Sequence, residues 1–408
     1  MRMGALCVLM LPFAAPGVVA AQSLSLPEAI EAAFTENPDL AAARREIGVA
    51  EGDRQQAGLL PNPELSWEVE DTRRNTSTTT VMLSQALELG GKRGARIAVA
   101  SRGQDAAQLE VERRGNELRA EVVQAFFTAI RADTGLDLAR QSQALAQRGE
   151  QVAEGRVRAG KSSPVEVTRA QVQLAETDLL VRRAETLKGN SYRDLARTTG
   201  SSTLSFDRLE YRELSPGKSP SAAKIFTAIN QSAELRLAQA QIEQRDAALG
   251  SERAQRIPDL TVSIGSQYSR EDRERVNVVG MSMPLPLFNR NQGNVLAAAR
   301  RSDQARDLRN AVELRLRTQT QSALDRWATA MRDVESFDQV ILPSAKSAVE
   351  AATRGFEMGK FGFLEVLDAQ RTLIAARGQY LESLAMATDA RVTVERIYGD
   401  LNLFTTHP

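Results

Sequence analysis

The chain is written twice. Asn37-Pro-Asp-Leu40 opens an alanine-rich helical run that ends at Pro63-Glu-Leu65, and Ser232-Ala-Glu-Leu235 and Pro258-Asp-Leu260 repeat that layout at one common offset. Farther on, Ala159-Gly-Lys161, Ala170-Gln171 and Gly200 return as Met358-Gly-Lys360, Ala369-Gln370 and Gly399, at an offset only slightly larger. A duplication that holds register this well implies two structurally equivalent halves, and each half tests the motifs found in the other. A chain of 408 residues could hold two or three compact domains. The repeat argues instead for one duplicated architecture: a first repeat over 22–200, a linker over 201–219, a second repeat over 220–399 and a tail over 400–408.

Residues 1–21 read as a signal peptide. Arg2 supplies the positive start, Ala5 to Ala15 is apolar, and Val19-Ala20-Ala21 places small residues ahead of a cut before Gln22. The apolar run is too short for a bilayer-spanning helix, which needs about 20 residues. Cys7, the only cysteine, sits inside this segment with almost no apolar run before it, so it is badly placed for lipid attachment. The mature chain therefore has no thiol, disulfide or cysteine-ligated metal.

Lys+Arg and Asp+Glu are equal at 52 each, which leaves no nucleic-acid footprint. Few aromatics and abundant alanine suit long, closely approaching helices better than a thick globular core. Leu26 to Leu60 reads as a short helix, a break at Asn37-Pro38 and a second helix. Leu65, Trp67 and Val69 then alternate with Ser66, Glu68 and Glu70, as in a two-faced strand. The pattern predicts strands over 64–71 and 80–89, and in the second repeat over 259–268 and 276–287, where Pro284 and Pro286 end the ladder.

Very long helical stretches follow each hairpin. Ala95 to Arg158 contains no proline, about 95 Å of helix at 1.5 Å per residue. Leu118, Val122, Ala125, Ala129, Ala132, Leu136 and Ala139 keep a coiled-coil spacing, as do Val366, Ala369, Leu373, Ala376, Tyr380 and Ser383. Such helices must pack side by side, within the chain and between copies. The strands match those of tilted membrane barrels, but four cannot close one, since the smallest need about eight. Open edges in lipid would leave backbone groups unsatisfied. Either the strands form a soluble sheet or several chains pool them; the signal peptide favours pooling.

The chain resembles the TolC-like outer-membrane efflux channels over its whole mature length. The residues that carry the resemblance are the duplicated layout, Glu88-Leu-Gly-Gly-Lys-Arg-Gly-Ala-Arg96, Pro284-Leu-Pro-Leu-Phe-Asn-Arg-Asn-Gln-Gly293, and Phe363-Leu-Glu-Val-Leu-Asp-Ala-Gln370. The first two of these quoted segments are typical of the branch that serves cobalt–zinc–cadmium and copper–silver exporters. The resemblance implies a mainly α fold with a small β part, in a homotrimer. Twelve pooled strands would form a β-barrel in the outer membrane, continued into the periplasm by an α-helical tunnel. It implies an exit duct for divalent cations such as cobalt, zinc or cadmium. The partners would be a periplasmic adaptor protein, an inner-membrane proton-driven exporter and outer-membrane lipid. The alternatives are a duct for drugs or secreted polypeptide and a soluble periplasmic scaffold or adaptor, for which amphipathic strand pairs would be unnecessary.

Gly155-Arg-Val-Arg-Ala-Gly-Lys-Ser162 satisfies the phosphate-loop pattern letter for letter. That chemistry needs a strand before the loop and a helix N-terminus after it. Here a polar helix precedes, Pro164 follows, and the second repeat has Phe361 in place of the hydroxyl residue. The shared Gly-Lys reads as a helix–helix turn. By resemblance, Gly160, Lys161, Ser162, Gly359, Lys360 and Phe361 are the helix tips that meet the adaptor.

Glu365 and Asp368 share a helix face. First-turn acids also suit the positive end of a helix dipole, and Glu166 matches Glu365 in the first repeat. Asp368 has Arg169 as its counterpart, so the repeat does not require an acid there. By resemblance both acids ring the closed periplasmic mouth. Phe361 stands where relatives carry a basic residue, with Lys360 beside it. No catalytic set or cofactor site emerges. His407 is the sole histidine, so the usual zinc or cobalt site cannot be built. Met281 and Met283 share a strand face and read as strand packing.

Overall fold

The computed structural model describes residues 23–201, 206, 208–210 and 217–401. The expected signal peptide with Cys7, parts of the linker, and His407 lie outside the described residues. The first repeat runs β1 (Ser23–Ser25), α1 (Leu26–Glu36), α2 (Pro38–Ala57), β2 (Glu64–Glu70), β3 (Thr78–Leu87), α3 (Lys92–Arg158) and α4 (Pro164–Thr198). After β4 (Arg208–Glu210) come α5 (Ala222–Thr227), α6 (Ala233–Ala254), β5 (Leu260–Ser269), β6 (Glu274–Ser282), α7 (Gln292–Ser336), α8 (Leu342–Glu357) and α9 (Phe363–Tyr398).

The break at Asn37-Pro38 has a local cause. Pro38 opens α2, where its missing N–H costs nothing. The Asn37 Oδ1 accepts from the backbone N–H of Asp39 and Leu40 at 2.9 and 3.2 Å. Its Nδ2 donates to the Thr198 carbonyl at 3.2 Å, which ties this corner to the end of α4. In the second repeat Ser232 takes over the cap, accepting from Leu235 N at 3.4 Å.

The expected seams are the packed ones. Leu118, Val122, Ala125, Ala129, Ala132 and Leu136 on α3 are buried, as are Val366, Leu373, Ala376, Tyr380 and Ser383 on α9; Ala139 and Ala369 are half-buried. Around the α3 seam, Phe126 and Phe127 meet edge to face at 6.1 Å. Helix α3 lies along α4, α6 and α9, and α7 along α6 and α9.

Three features depart from the sequence reading. The second strand runs Thr78–Leu87 and the fourth Glu274–Ser282, not 80–89 and 276–287. In the fourth, the ladder stops before Pro284 because proline has no N–H to give it. The helix after the second hairpin is interrupted by a π-helical turn over Phe337–Ile341, beside Pro343, whereas α3 runs unbroken for 67 residues. Proline removes an i→i−4 bond, and a wider turn accommodates the loss. Finally, β1 and β4 form a small parallel ribbon that pairs Leu24 with Leu209. Three-residue strands this far apart in sequence carry no readable period.

Candidate functional site

The two hairpins form one antiparallel sheet in the order β2-β3-β5-β6, so β2 and β6 are unpaired edges within the protomer. Register fixes which side chains share a face, because residues alternate across the pleat. Leu65 lies opposite Leu83, Leu83 opposite Ile264, and Ile264 opposite Val279. The neighbouring row on that face holds Trp67 and Val81, and the row below pairs Val262 with Met281. Leu65, Trp67, Val279 and Met281 are each about 70% or more exposed in the protomer. The opposite face carries Glu64, Ser66, Glu68, Glu70, Thr80, Ser84, Ser263, Gln267 and Glu274, and no Lys or Arg from the four strands. Apart from Thr79, Gln85, Ser266, Arg275 and Asn277, the first side of the sheet is apolar; the other is mainly polar and acidic, with Met82, Val276 and Val278 among its members, and both edges are open. Met281 belongs to the apolar side, where it continues the hydrocarbon surface.

All four helix connections leave one end of this sheet, and a clamp holds that end. Lys92 Nζ lies 2.7 Å from Asp259 Oδ1, the Leu89 N–H donates to the same oxygen, and Arg96 pairs with Glu88. Gly90 has φ +70°, and a Cβ there would lie 2.8 Å from Ile257. This explains the Glu88–Arg96 segment physically: two glycines turn the chain tightly while its charged residues join strand to helix.

At the far end of the helices, the two expected tip turns have the same hydrogen-bond pattern. Lys161 N donates to Arg156 O at 2.8 Å and Gly160 N to Val157 O at 2.9 Å; Lys360 N donates to Gly355 O at 2.8 Å and Gly359 N to Phe356 O at 2.9 Å. Gly160 and Gly359 have φ +68° and +74°, the left-handed residue that such a helix stop requires. Gly155 lies inside α3, so the phosphate-loop match is a helix end and not a loop around an anion. The Ser162 hydroxyl accepts from Arg156 Nε at 2.9 Å. Lys161 and Lys360 are exposed, and Phe361 is 48% exposed with its ring against Gly355.

Glu365 sits on the first turn of α9 and Asp368 on the next, both exposed on the protomer. Gly362 caps that helix with no side chain, whereas Ser163 caps α4. The acids lie one to two helical turns from Lys360 and Phe361, so the sequence-named tip and mouth residues share one end of the molecule.

Sequence reading missed the residues that join the halves there. Arg156 reaches across to the Phe356 carbonyl, and its guanidinium stands 4.5 Å above the Phe356 ring. Beneath it, Phe356 and Phe363 pack at 5.3 Å with Ala153, Ala170, Val366 and Leu367 in a small apolar core. Higher up, Gln370 and Arg377, seven apart on α9, donate to the carbonyls of Leu145 and Leu138, seven apart on α3, at 3.4 and 3.1 Å. Arg377 also donates to Ser142 Oγ and Gln141 Oε1 at 2.7 and 2.9 Å. Burial pushes its guanidinium below the usual range. The available signal was the heptad Phe363, Gln370, Arg377, Leu384, in which two polar residues occupy an inward position and fix register.

Among the described residues no three His, Cys, Asp or Glu converge as a metal site, and no helix is long and apolar enough to cross a membrane. The latter says nothing about strands. A protein-family profile described as "Outer membrane efflux protein" matches residues 29–201 and 225–400, one stretch per repeat. The cobalt-zinc-cadmium resistance protein CzcC of Cupriavidus metallidurans is 37% identical over 380 residues, 93% of this chain and 91% of that protein. The nickel-cobalt-cadmium resistance protein NccC of Alcaligenes xylosoxydans xylosoxydans is 26% identical over 79% of this chain and 74% of its own length. A crystal structure of CusC superposes with TM-score 0.76 at 17% identity, covering 95% of this chain and 98% of that one.

Proposed function

The chain belongs to the outer membrane efflux protein family, and from that premise we propose that it is the exit duct of a tripartite pump for divalent heavy-metal cations. Three copies pool their sheets into a twelve-stranded barrel, which removes the open edges at β2 and β6. The long helices continue it as a tunnel into the periplasm. The observation that carries this reading is the row Leu65, Leu83, Ile264, Val279, which runs apolar across all four strands with both edges unpaired. A soluble sheet would hide such a face against its own helices; a barrel turns it to lipid. The acidic opposite face then lines the lumen, and a carboxylate-lined pore favours cations. Metal cargo is supported by the likeness to CzcC.

Glu365 and Asp368 contribute six carboxylates to the narrow periplasmic mouth of the trimer. Gly160, Lys161, Ser162, Gly359, Lys360 and Phe361 meet the adaptor, which hands over cations from the inner-membrane exporter. The chain acts as a conduit and needs no catalytic group. The test combines fractionation, planar-bilayer recording and a deletion strain. Recovery with the outer membrane, cation-selective pores and lost tolerance to cobalt, zinc or cadmium are expected. Release into the periplasm without detergent would end the channel reading. Sensitivity to drugs but not metals would move the cargo to the other alternative.

A further inference from the structure

Charge is sorted across the sheet at its free end, the end from which no helix leaves. In the last rows before the hairpin loops, Tyr268 lies opposite Arg275 and Thr79 opposite Tyr268, on the same face as Leu65, Leu83, Ile264 and Val279. One step along, Glu70 pairs with Thr78 and Glu274 with Ser269, on the acidic face. A cation thus stands on the apolar surface at its outer limit, next to a tyrosine, while both neighbouring acids point the other way. The arrangement places Arg275 at the depth of a lipid headgroup.

The loops above it add to this rim. Both are short, and they are tied together: Arg270 N donates to Ser77 O at 3.1 Å, and Arg270 Nη1 donates to Arg74 O at 3.4 Å. Asp71, held by Arg73 and Thr76, is committed within its own turn. Among the described residues no carboxylate pairs with Arg74, Arg270, Arg273 or Arg275, although Glu271 and Asp272 lie in the same loop. With no acid paired to these four guanidinium groups, the rim keeps its donors, apart from the Arg270 Nη1 bond to the Arg74 carbonyl, available to an outside anion. Guanidinium forks match phosphate oxygens two at a time.

We propose that this rim, centred on Arg275 and completed by Arg270, Arg273 and Arg74, binds the bisphosphorylated disaccharide headgroup of the glycolipid in the outer leaflet. The inference rests on the outer-membrane barrel reading, which directs the loop end outward, away from the phospholipid headgroups at the helix end. Charge complementarity selects the occupant: clustered phosphates on a rigid sugar frame engage several arginines of one rim at once, whereas a single phosphodiester engages one.

The test uses the full-length protein, purified in nonionic detergent and stripped of lipid. Binding of bisphosphorylated lipid A, monophosphorylated lipid A and phosphatidylglycerol is measured by native mass spectrometry and by the shift in the protein's melting temperature. The expected order is bisphosphorylated, then monophosphorylated, then phosphatidylglycerol. Replacing Arg270, Arg273 and Arg275 together by Gln should weaken the first by about tenfold or more at low salt. Glu271→Gln, in the same loop, should not weaken it. Arg275→Lys, which keeps the charge and the fold but loses the fork, should fall between wild type and the triple variant. Triple-variant binding equal to wild type, or wild-type binding of phosphatidylglycerol as tight as that of lipid A, would overturn the site. Bilayer conductance separates the two layers of argument. Intact pores with unselective lipid binding refute the rim alone; a wild type that forms no pore and stays out of the outer membrane refutes the channel reading and the rim with it.

Discussion

Arg156→Ala should loosen the tips of the two repeats while leaving the rest of the molecule intact. Two contacts cross from the α3 tip to the α8 tip through this side chain: the bond to the Phe356 carbonyl and the stack over the Phe356 ring. A hydrogen bond from a charged donor contributes about 1.5–3 kcal/mol, and a cation–π contact about 0.5–2 kcal/mol. Arg156 is only half-buried, so the low ends apply, which gives about 2 kcal/mol for the pair. The bond to Ser162 is excluded, since it stays within the first repeat's own turn. At 1.4 kcal/mol per tenfold, the ratio of docked to undocked tip should fall about 30-fold. Hydrogen exchange in the purified channel reads this directly. Amides in the last turn of α8 and the first turn of α9 should exchange about 30-fold faster, with β2–β6 unchanged. Arg156→Lys, which keeps the charge but not the planar fork, should lie between. Tip exchange within about twofold of wild type, or an equal increase along every helix, would refute the assignment of a local latch.

Gly90→Ala should destabilise the sheet–helix junction by about 2–4 kcal/mol, the left-handed backbone adding to the overlap with Ile257; a denaturant midpoint equal to wild type in detergent would contradict it. Replacing Glu365 and Asp368 together by Asn should lower cation selectivity and trivalent-ion block in planar bilayers while trimer assembly survives, since neither side chain is on the buried α9 seam. Selectivity and block equal to wild type would leave these acids as helix-end charges. Glu395 on α9 is fully buried and accepts from Arg391 at 2.9 Å, yet desolvation outweighs that pair and raises its carboxyl above the usual value. A raised folded value means that stability is greatest when the carboxyl is protonated in both states and is lost as pH rises through the glutamate range. Glu395→Gln should therefore gain melting temperature over wild type between pH 4 and pH 7, and a constant difference across that range would show that burial does not set this group's titration.

The sequence alone determined the parts whose physics is local or periodic. Pro38 after Asn37, alanine seams at four and three, alternating strands and Gly-Lys turns each depend on a few consecutive residues, and the duplication checked them against a second copy. The family was readable for the same reason, from short segments such as Glu88–Arg96 that make one tight junction. The ends of the second and fourth strands moved by two to five residues because a ladder ends where its partner ends. A π turn beside Pro343 interrupts the second long helix, which no local count foresaw.

Tertiary structure decided whatever depends on which halves touch. The face shared by Leu65, Leu83, Ile264 and Val279 exists only once β3 pairs with β5, and a slip of one residue would have turned it over. Arg156 has no counterpart in the second repeat, where Gly355 stands. It joins the tips because Phe356 arrives beside it from 200 positions away. The same holds for Arg377, a buried guanidinium satisfied by a carbonyl, a hydroxyl and an amide oxygen on a helix more than 200 residues earlier. A charge in an apolar seam is legible as an anomaly in sequence, but its partners are backbone and polar groups that any residue order could supply, so only packing could name them.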